Sequence, residues 1–407
     1  MRILALMWII TGLVFAQGND RERFRSGNIN DRPDVDSELA LSFWRSGRFG
    51  LDPTLSIRDA GYEDNITFQA EEPLEDEHAT AQIRLTALAR FSSRFFFKSD
   101  GSYQYDWFNQ HSEFGGHRGD LNLGFYGLFK RGYIRFEAGY DRKLRNPSSE
   151  INERPLQTSR NGGVLFQHLI GVNNLVEVEA THWELEFQKG TLSQLLDQKD
   201  DGIRTLWVLR NFKNLWPFLE LSHHDVDFTS DEAPRQAETS QGALGFRNDF
   251  SERTHFNFKA GVIRLSYILA EDEVTDNSLS LEGYLSHKVT RRVSLETGYV
   301  RQPVYSVSNL GHYISSRILA GTNIQMNRNW RWTLDAYFGT NRYDEKFEVD
   351  PNLVRTDDYF SSRMTVEWNN AKALRAVIAF EINQRDSPIP ELEADQFRVG
   401  FELTYRP

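Results

Sequence analysis

Apolar and polar residues alternate along most of this chain with a period of two. In "TAQIRLTALARF", Ala81, Ile83, Leu85, Ala87, Ala89 and Phe91 share one face, and Gln82, Arg84, Thr86 and Arg90 share the other. "RWTLDAYF" sets Trp332, Leu334, Ala336 and Phe338 against Arg331, Thr333, Asp335 and Tyr337. "LRAVIAFEIN" sets Leu374, Ala376, Ile378, Phe380 and Ile382 against Arg375, Glu381 and Asn383. "DQFRVGFELTYRP" alternates as far as Tyr405. A period of two denotes β-strands with one apolar and one polar face. Eighteen runs follow this rule, near 50–60, 79–91, 94–107, 116–129, 132–142, 158–170, 175–187, 203–211, 214–226, 238–249, 253–267, 278–288, 292–303, 313–325, 330–341, 358–368, 373–384 and 395–405.

The connections alternate as well. Tight ones fall at 92–93, 130–131, 171–174, 212–213, 250–252, 289–291, 326–329 and 369–372, and longer ones lie between them, for example near 61–78, 268–277 and 342–357. Tight connections make antiparallel hairpins. Strict alternation gathers the tight turns at one end of a sheet and the long loops at the other, as in outer-membrane barrels. A soluble sandwich also alternates, but its strands are usually shorter and its loops are not sorted by end. In lipid every backbone amide needs a partner within the protein, so a spanning sheet must close on itself. The expected fold is all-β: a closed antiparallel up-and-down transmembrane β-barrel of about 18 strands, within the range 16–20, with short periplasmic turns and long extracellular loops. The final strand pairs with the first, and both termini lie on the periplasmic side.

Composition fits once this is granted. Mean hydropathy is −0.55 with only 39% hydrophobic residues, because half of each strand faces inward and the loops are polar. Aromatics reach 13%. Trp107, Phe108, Trp207, Trp216, Tyr305, Trp330, Trp332, Tyr343, Trp368 and Tyr405 fall near strand ends, where barrels carry interfacial girdles. "MRILALMWIITGLVFAQGND" has Arg2, an apolar run from Ile3 to Phe15, and Val14 and Ala16 before a cut, which reads as a signal peptide. The expected division is signal peptide 1–16, polar periplasmic lead-in 17–48 and barrel 49–407. The absence of cysteine excludes disulfides, thiolate metal sites and a cysteine nucleophile. A net charge of −11 argues against a nucleic-acid ligand.

Both ends of the chain carry a family likeness. "LDPTLSIRDAGYEDNITFQAEEPLEDEHATAQIRLTALARF" holds Pro53 in the first strand, then Tyr62, Asp64 and Asn65, then an acidic loop and a second strand. Towards the end, Arg355-Thr356-Asp357 precedes a strand and Arg385-Asp386-Ser387 follows the next. These stretches resemble the beta-barrel porin-2 family over roughly a third of the chain, counting both ends. The resemblance implies a bacterial outer-membrane barrel associated with exopolysaccharide export, recognised by the barrel assembly machinery. The chain departs from common barrel practice by closing on Tyr405-Arg406-Pro407 rather than on Phe or Trp.

Chemistry is expected on the inner face. Arg84, Arg90, Arg135, Glu137, Arg317, Arg331, Asp335, Arg363, Glu367, Arg375, Glu381, Arg398 and Glu402 are the candidate pore-lining residues. Arg and Glu on neighbouring strands can pair, set up a transverse field and hydrogen-bond a sugar. "HHDVDF" (His223, Asp225, Asp227) and "THWELEF" (His182, Glu184, Glu186) could offer metal ligands but read better as polar strips at strand ends. The acidic runs Asp59–Glu77 and Glu271–Asp276 have oxygen ligands suited to Ca²⁺, without fixed ligand spacing. No Gly-x-Ser-x-Gly motif is present. The expected function is therefore a non-enzymatic outer-membrane channel without cofactor, porin-like and coupled to exopolysaccharide export. The alternatives are a general diffusion porin for small solutes, or a non-conducting assembly or adhesion scaffold or barrel enzyme. Its expected surroundings are outer-membrane lipid and lipopolysaccharide, with polysaccharide or small solutes as cargo.

Overall fold

The computed structural model describes residues 38–40, 42–68, 72–144, 155–188, 196–210, 214–229, 235–251, 253–269, 272–306, 312–346, 354–370 and 373–407. They form 19 strands: β1 (Trp44–Ser46), β2 (Phe49–Glu63), β3 (Asp76–Arg90), β4 (Phe95–Phe108), β5 (Gly116–Phe129), β6 (Gly132–Leu144), β7 (Leu156–Ile170), β8 (Asn174–Phe187), β9 (Gln198–Leu209), β10 (Leu215–Phe228), β11 (Arg235–Ser251), β12 (Thr254–Leu269), β13 (Asp272–Lys288), β14 (Val293–Tyr305), β15 (His312–Gln325), β16 (Trp330–Lys346), β17 (Val354–Asn369), β18 (Leu374–Asp386) and β19 (Ala394–Tyr405). Each of β2–β19 is antiparallel to its sequence neighbours, and β19 pairs with β2. The result is a closed 18-stranded barrel with β1 added below the seam. Every one of the eighteen expected runs is a barrel strand.

Parity decides which side chains point out. On β3, Ile83 is 56% exposed and Leu85 is also exposed. Tyr103 opposite Ile83, and Leu121, Phe136 and Val164 on the strands that follow, continue an exposed apolar surface. The opposite parity carries Gln82, Ser102, Asp106, Glu177, Arg204, Glu220 and Glu381, all buried. Tight connections at 91–94, 130–131, 171–173, 289–292 and 326–329 lie at one end of the barrel.

Strands run further than expected at the other end. β11, β13 and β16 reach 17 residues each. The expected long loop at 268–277 is mostly strand, since β12 and β13 stay paired to Leu269↔Asp272. The ladder continues there through polar side chains, such as Ser266 against Thr275 with their hydroxyls 3.1 Å apart. The start of β13, polar from Asp272 to Asn277 but for Val274, is hidden from a hydropathy pattern while its backbone pairing stays intact.

β13 and β14 pair only between Leu281↔Arg301 and Lys288↔Ser294. Beyond Arg301, β14 leans inwards, and the Tyr305 hydroxyl donates to the Glu238 carbonyl on β11 at 2.6 Å. Four aromatics expected in a girdle are internal, the first being Phe108, whose ring stacks on the inward His78 at 5.5 Å. Tyr305 reaches β11, the Tyr343 ring lies 4.8 Å from that of Tyr313 at a tilt of 38° inside, and Trp216 packs with Leu175, Val208 and Phe218. A position near a strand end fixes height, but the parity of the residue and the lean of the strand fix the side. Trp107, Trp207, Trp330, Trp332 and Tyr405 do face outwards.

Part of the stretch read as a lead-in joins the barrel. β1 folds back on β2 through a turn in which Gly47 has φ +60°, a conformation glycine adopts without steric cost. β1 occupies the edge of β2 that β19 leaves free below Tyr405↔Leu55. Arg406, which had no sequence-level explanation, is held twice. Its amide donates to the Ala373 carbonyl at 2.8 Å, and its Nε donates to Asp52 Oδ1 at 2.7 Å.

Candidate functional site

The thirteen candidate residues lie on the face opposite the exposed apolar surface, and hydrogen-bonding partners group most of them. The largest group crosses the seam. Asp335 stands opposite Arg363, Arg363 opposite Glu381, Glu381 opposite Arg398, and Arg398 opposite Glu63. The row alternates in sign across five adjacent strands, so each charge has opposite neighbours. Arg363 Nη1 lies 3.9 Å from Glu381, and Arg398 lies 3.1 Å from Asp59 and 3.8 Å from Glu63. One layer closer to the tight turns, Arg375 pairs with Glu367 at 3.3 Å and with Glu402, which also meets Arg58 at 4.0 Å. Arg331 stands opposite Glu367 and donates to Gln325 at 3.1 Å. Arg317 donates to Ser315 at 2.8 Å, and Arg90 to the Ser92 carbonyl at 3.2 Å.

Arg84 belongs to a second group. Its Nε donates to Asp100 at 3.0 Å, Thr86 donates to the same carboxylate at 2.6 Å, and Arg118 pairs with Asp106. Arg135 opens a third group, most of which sequence inspection missed. Arg135 pairs with Glu137 at 3.0 Å and lies 3.9 Å from Glu179. Arg204 then takes Glu177 at 2.6 Å, Glu179 at 3.3 Å and Glu220 at 3.4 Å. Lys259 links Glu220 at 2.9 Å to Glu282 at 3.4 Å. Glu220 is only 1% exposed. Five carboxylates share three cations along the wall from β6 to β13. Parity would have found them, but the strand that bears Arg204 also turns Leu206 and Val208 inwards, which blurs its alternation.

The motif residues of the two ends converge near the long-loop end of the seam. Asp64 and Phe397 exchange hydrogen bonds, the Phe397 amide reaching Asp64 Oδ1 at 2.7 Å and the Asp64 amide reaching the Phe397 carbonyl at 3.2 Å. Asn65 donates to the Asp395 carbonyl at 3.0 Å. Gln396 donates to Glu63 at 2.8 Å and to the Asn65 carbonyl at 2.6 Å. Gly61 is required here, because a Cβ would sit 1.8 Å from the Val399 carbonyl oxygen. Beside the seam, Asp357 is 0% exposed. It accepts from Arg355 at 2.6 Å and from Ser387 at 2.7 Å, while the Arg355 guanidinium lies 4.1 Å from the Tyr343 ring centre. Arg385 donates to the Leu392 carbonyl and covers the Phe68 ring at 5.3 Å.

The two strips considered for metal ligation lie on the outer parity. His182 meets Asp201 at 2.8 Å, Glu184 meets Lys199 at 3.4 Å, Glu186 meets Arg160 at 2.8 Å, and His223 meets Ser240 at 2.9 Å. The first acidic run is divided among separate partners: Asp59 to Arg398, Glu75 to the Tyr62 hydroxyl at 2.6 Å, and Asp76 to the amides of Asn109, Gln110 and His111. Glu71 and Glu271 lie outside the described residues. Among the described residues, no group of three His, Asp or Glu side chains is placed to hold a metal ion.

Solved structures share the architecture. The iron transporter FrpB of Neisseria meningitidis (F3-3 variant) superposes with a TM-score of 0.54 at 7% identity over 86% of this chain, which spans 64% of that protein. The outer membrane protein OpdK of Pseudomonas aeruginosa gives 0.52 at 10% identity, covering 88% of this chain and 98% of its own. OccAB3 of Acinetobacter baumannii gives 0.50 at 9% identity, with 88% and 99% covered. Identities this low establish the fold. No family model matches the chain, and no curated protein matches it.

Proposed function

We propose that the chain is an outer-membrane channel of porin type, passing polar solutes through its charged interior without catalysis. The observation that carries this reading is a sheet with no free barrel edge, apolar outside and ionic inside. That arrangement satisfies the backbone in lipid. Barrels of about 16–18 strands leave a water-filled passage unless something fills it. The mixed charges favour hydrated, hydrogen-bonding cargo over apolar cargo. A signal peptide at 1–16 and both termini on the periplasmic side belong to the same proposal. Refolded protein in a planar bilayer is expected to give stepwise conductance, graded down by neutral polymers of increasing size. No conductance at any voltage would refute the channel.

The membrane itself can be tested separately. Ile83→Lys places a charge on the outer apolar face. In lipid this substitution is expected to lower stability by about 2–4 kcal/mol if Ile83 lies near the midplane. In a soluble barrel an exposed lysine would be nearly silent. A urea midpoint in lipid vesicles that is unchanged by Ile83→Lys would count against the membrane reading.

Coupling to exopolysaccharide export is the finer proposal, and it rests on the resemblance of the two ends. Those residues (Asp64, Asn65, Arg355, Asp357, Arg385 and Ser387) are the seam and its neighbours, so their chemistry concerns closure. Loss of a secreted polymer on deletion of the gene supports the export reading, and unaltered secretion opposes it.

A further inference from the structure

The inner wall carries apolar patches at the tight-turn end, and one of them lines β3–β7. Leu88, Phe96, Leu128, Tyr133 and Leu165 cluster there on β3–β7, with Tyr126 stacked on Phe96 at 4.4 Å. Further from the tight turns the inner face of these strands is mostly polar, with Gln82, Arg84, Asp100, Ser102 and Asp120, so the patch stands apart from its surroundings. An apolar surface facing water needs a cover. The cover is Leu39, which is 2% exposed and belongs to the same cluster. Its neighbour Glu38 pairs with Lys98 of the inner wall at 2.8 Å. The backbone turns at this point, with the Ser42 amide donating to the Leu39 carbonyl at 3.3 Å and the Ser42 hydroxyl to the Glu38 carbonyl at 3.2 Å. The wall is shaped to admit this crossing. A Cβ on Gly50 would fall 2.3 Å from Ser42 Oγ and 3.2 Å from Leu39 Cδ2. β1 then fixes the segment to β2 on the seam side.

We propose that Glu38, Leu39 and Ser42 anchor an internal strap, seated on the wall at the tight-turn mouth, which narrows the passage and can be released from it. The proposal rests on the channel reading. Glu38, Leu39 and Ser42 are chemically matched to Lys98, the apolar patch and Gly50. Among the described residues this stretch is held by Leu39, the Glu38–Lys98 pair and a short hairpin, contacts of the kind found at the low-stability end of a fold, where moving elements are drawn from.

The test uses the full chain, which has no native cysteine. Leu39→Cys supplies a single thiol whose reaction with a membrane-impermeant maleimide reports the seat. It is expected to react slowly, and more than about tenfold faster when combined with Gly50→Val, since local opening sets the rate. Gly50→Val suits a strand, and Gly50→Ala is the milder partner should valine impair refolding. In planar bilayers, Gly50→Val and Leu39→Asp are each expected to raise unit conductance by about twofold or more, the change that widening a constriction gives. A Leu39→Cys thiol as reactive as one introduced by Ser93→Cys on an exposed turn would overturn the seat. Faster labelling with unchanged conductance would overturn the restriction. If no variant conducts at all, the channel reading fails, while a slow-to-fast change in labelling still supports the seat.

Discussion

Arg398→Leu is expected to abolish the folded barrel, read as loss of heat-modifiable gel mobility after refolding. Arg398 lies between Asp59 at 3.1 Å and Glu63 at 3.8 Å and stands opposite Glu381. Glu63 is 1% exposed, so its charge cannot be solvated if the guanidinium is removed. Removing one partner of a buried ion pair costs about 3–5 kcal/mol. Whole-domain stabilities are about 5–15 kcal/mol, so the loss is a large fraction, and it falls on the strand pair that closes the sheet. Adding Glu63→Gln to Arg398→Leu is expected to restore part of the folded fraction, because the stranded charge is then gone. An Arg398→Leu protein that refolds with an unchanged urea midpoint would refute the charge row as the seam's support.

Arg204→Met is expected to have the second largest effect. Arg204 serves Glu177, Glu179 and Glu220 at 2.6, 3.3 and 3.4 Å, and all four side chains are buried. Methionine fills the volume but leaves the carboxylates short of one cation, with Lys259 alone on Glu220. The expected loss is again about 3–5 kcal/mol in the urea midpoint. Where the variant can be refolded, its conductance is expected to shift towards cations. Arg84→Met is the contrasting substitution. Arg84 and Asp100 form a half-exposed pair, and pairs that keep their water contribute at most about 1 kcal/mol. Equal effects at Arg84 and Arg204 would show that burial does not govern the lining.

Residue parity made most of this legible. Ile83 and Arg84, or Phe380 and Glu381, declare their sides because a strand sends successive side chains to opposite faces. The eighteen runs follow from that, and the β19–β2 closure from the sorted turns and the need to pair every backbone amide in lipid. What parity leaves open is anything set by depth or by chain path. Tyr305 alternates correctly, yet β14 parts from β13 beyond Arg301 and the Tyr305 hydroxyl reaches Glu238 and Thr239 on β11, three strands away. Thr275 and Asp276 extend β13 through a stretch too polar to show an alternation. Leu39 sits in a polar stretch with no periodicity, and its cover role depends on a patch assembled from five adjacent strands further along the chain. Arg204 and Glu220 were legible in principle, but inward apolar neighbours masked their strands.

The seam has a consequence for the order in which the barrel forms. Gln396 and Glu63 are 333 residues apart, whereas every other strand pair joins sequence neighbours. Closing a loop of that size costs about 5 kcal/mol of chain entropy from the logarithmic law alone, before any contact is made. Hairpins form in microseconds and non-local pairing is slow, so the open sheet should precede the ring. The alternating row then acts as a check on alignment at the last step. A shift of β19 by one residue would turn Arg398 outwards, and a shift by two would part it from Glu63. Refolding followed by a probe across Glu63 and Gln396 should therefore lag behind one placed across an early hairpin such as β5–β6.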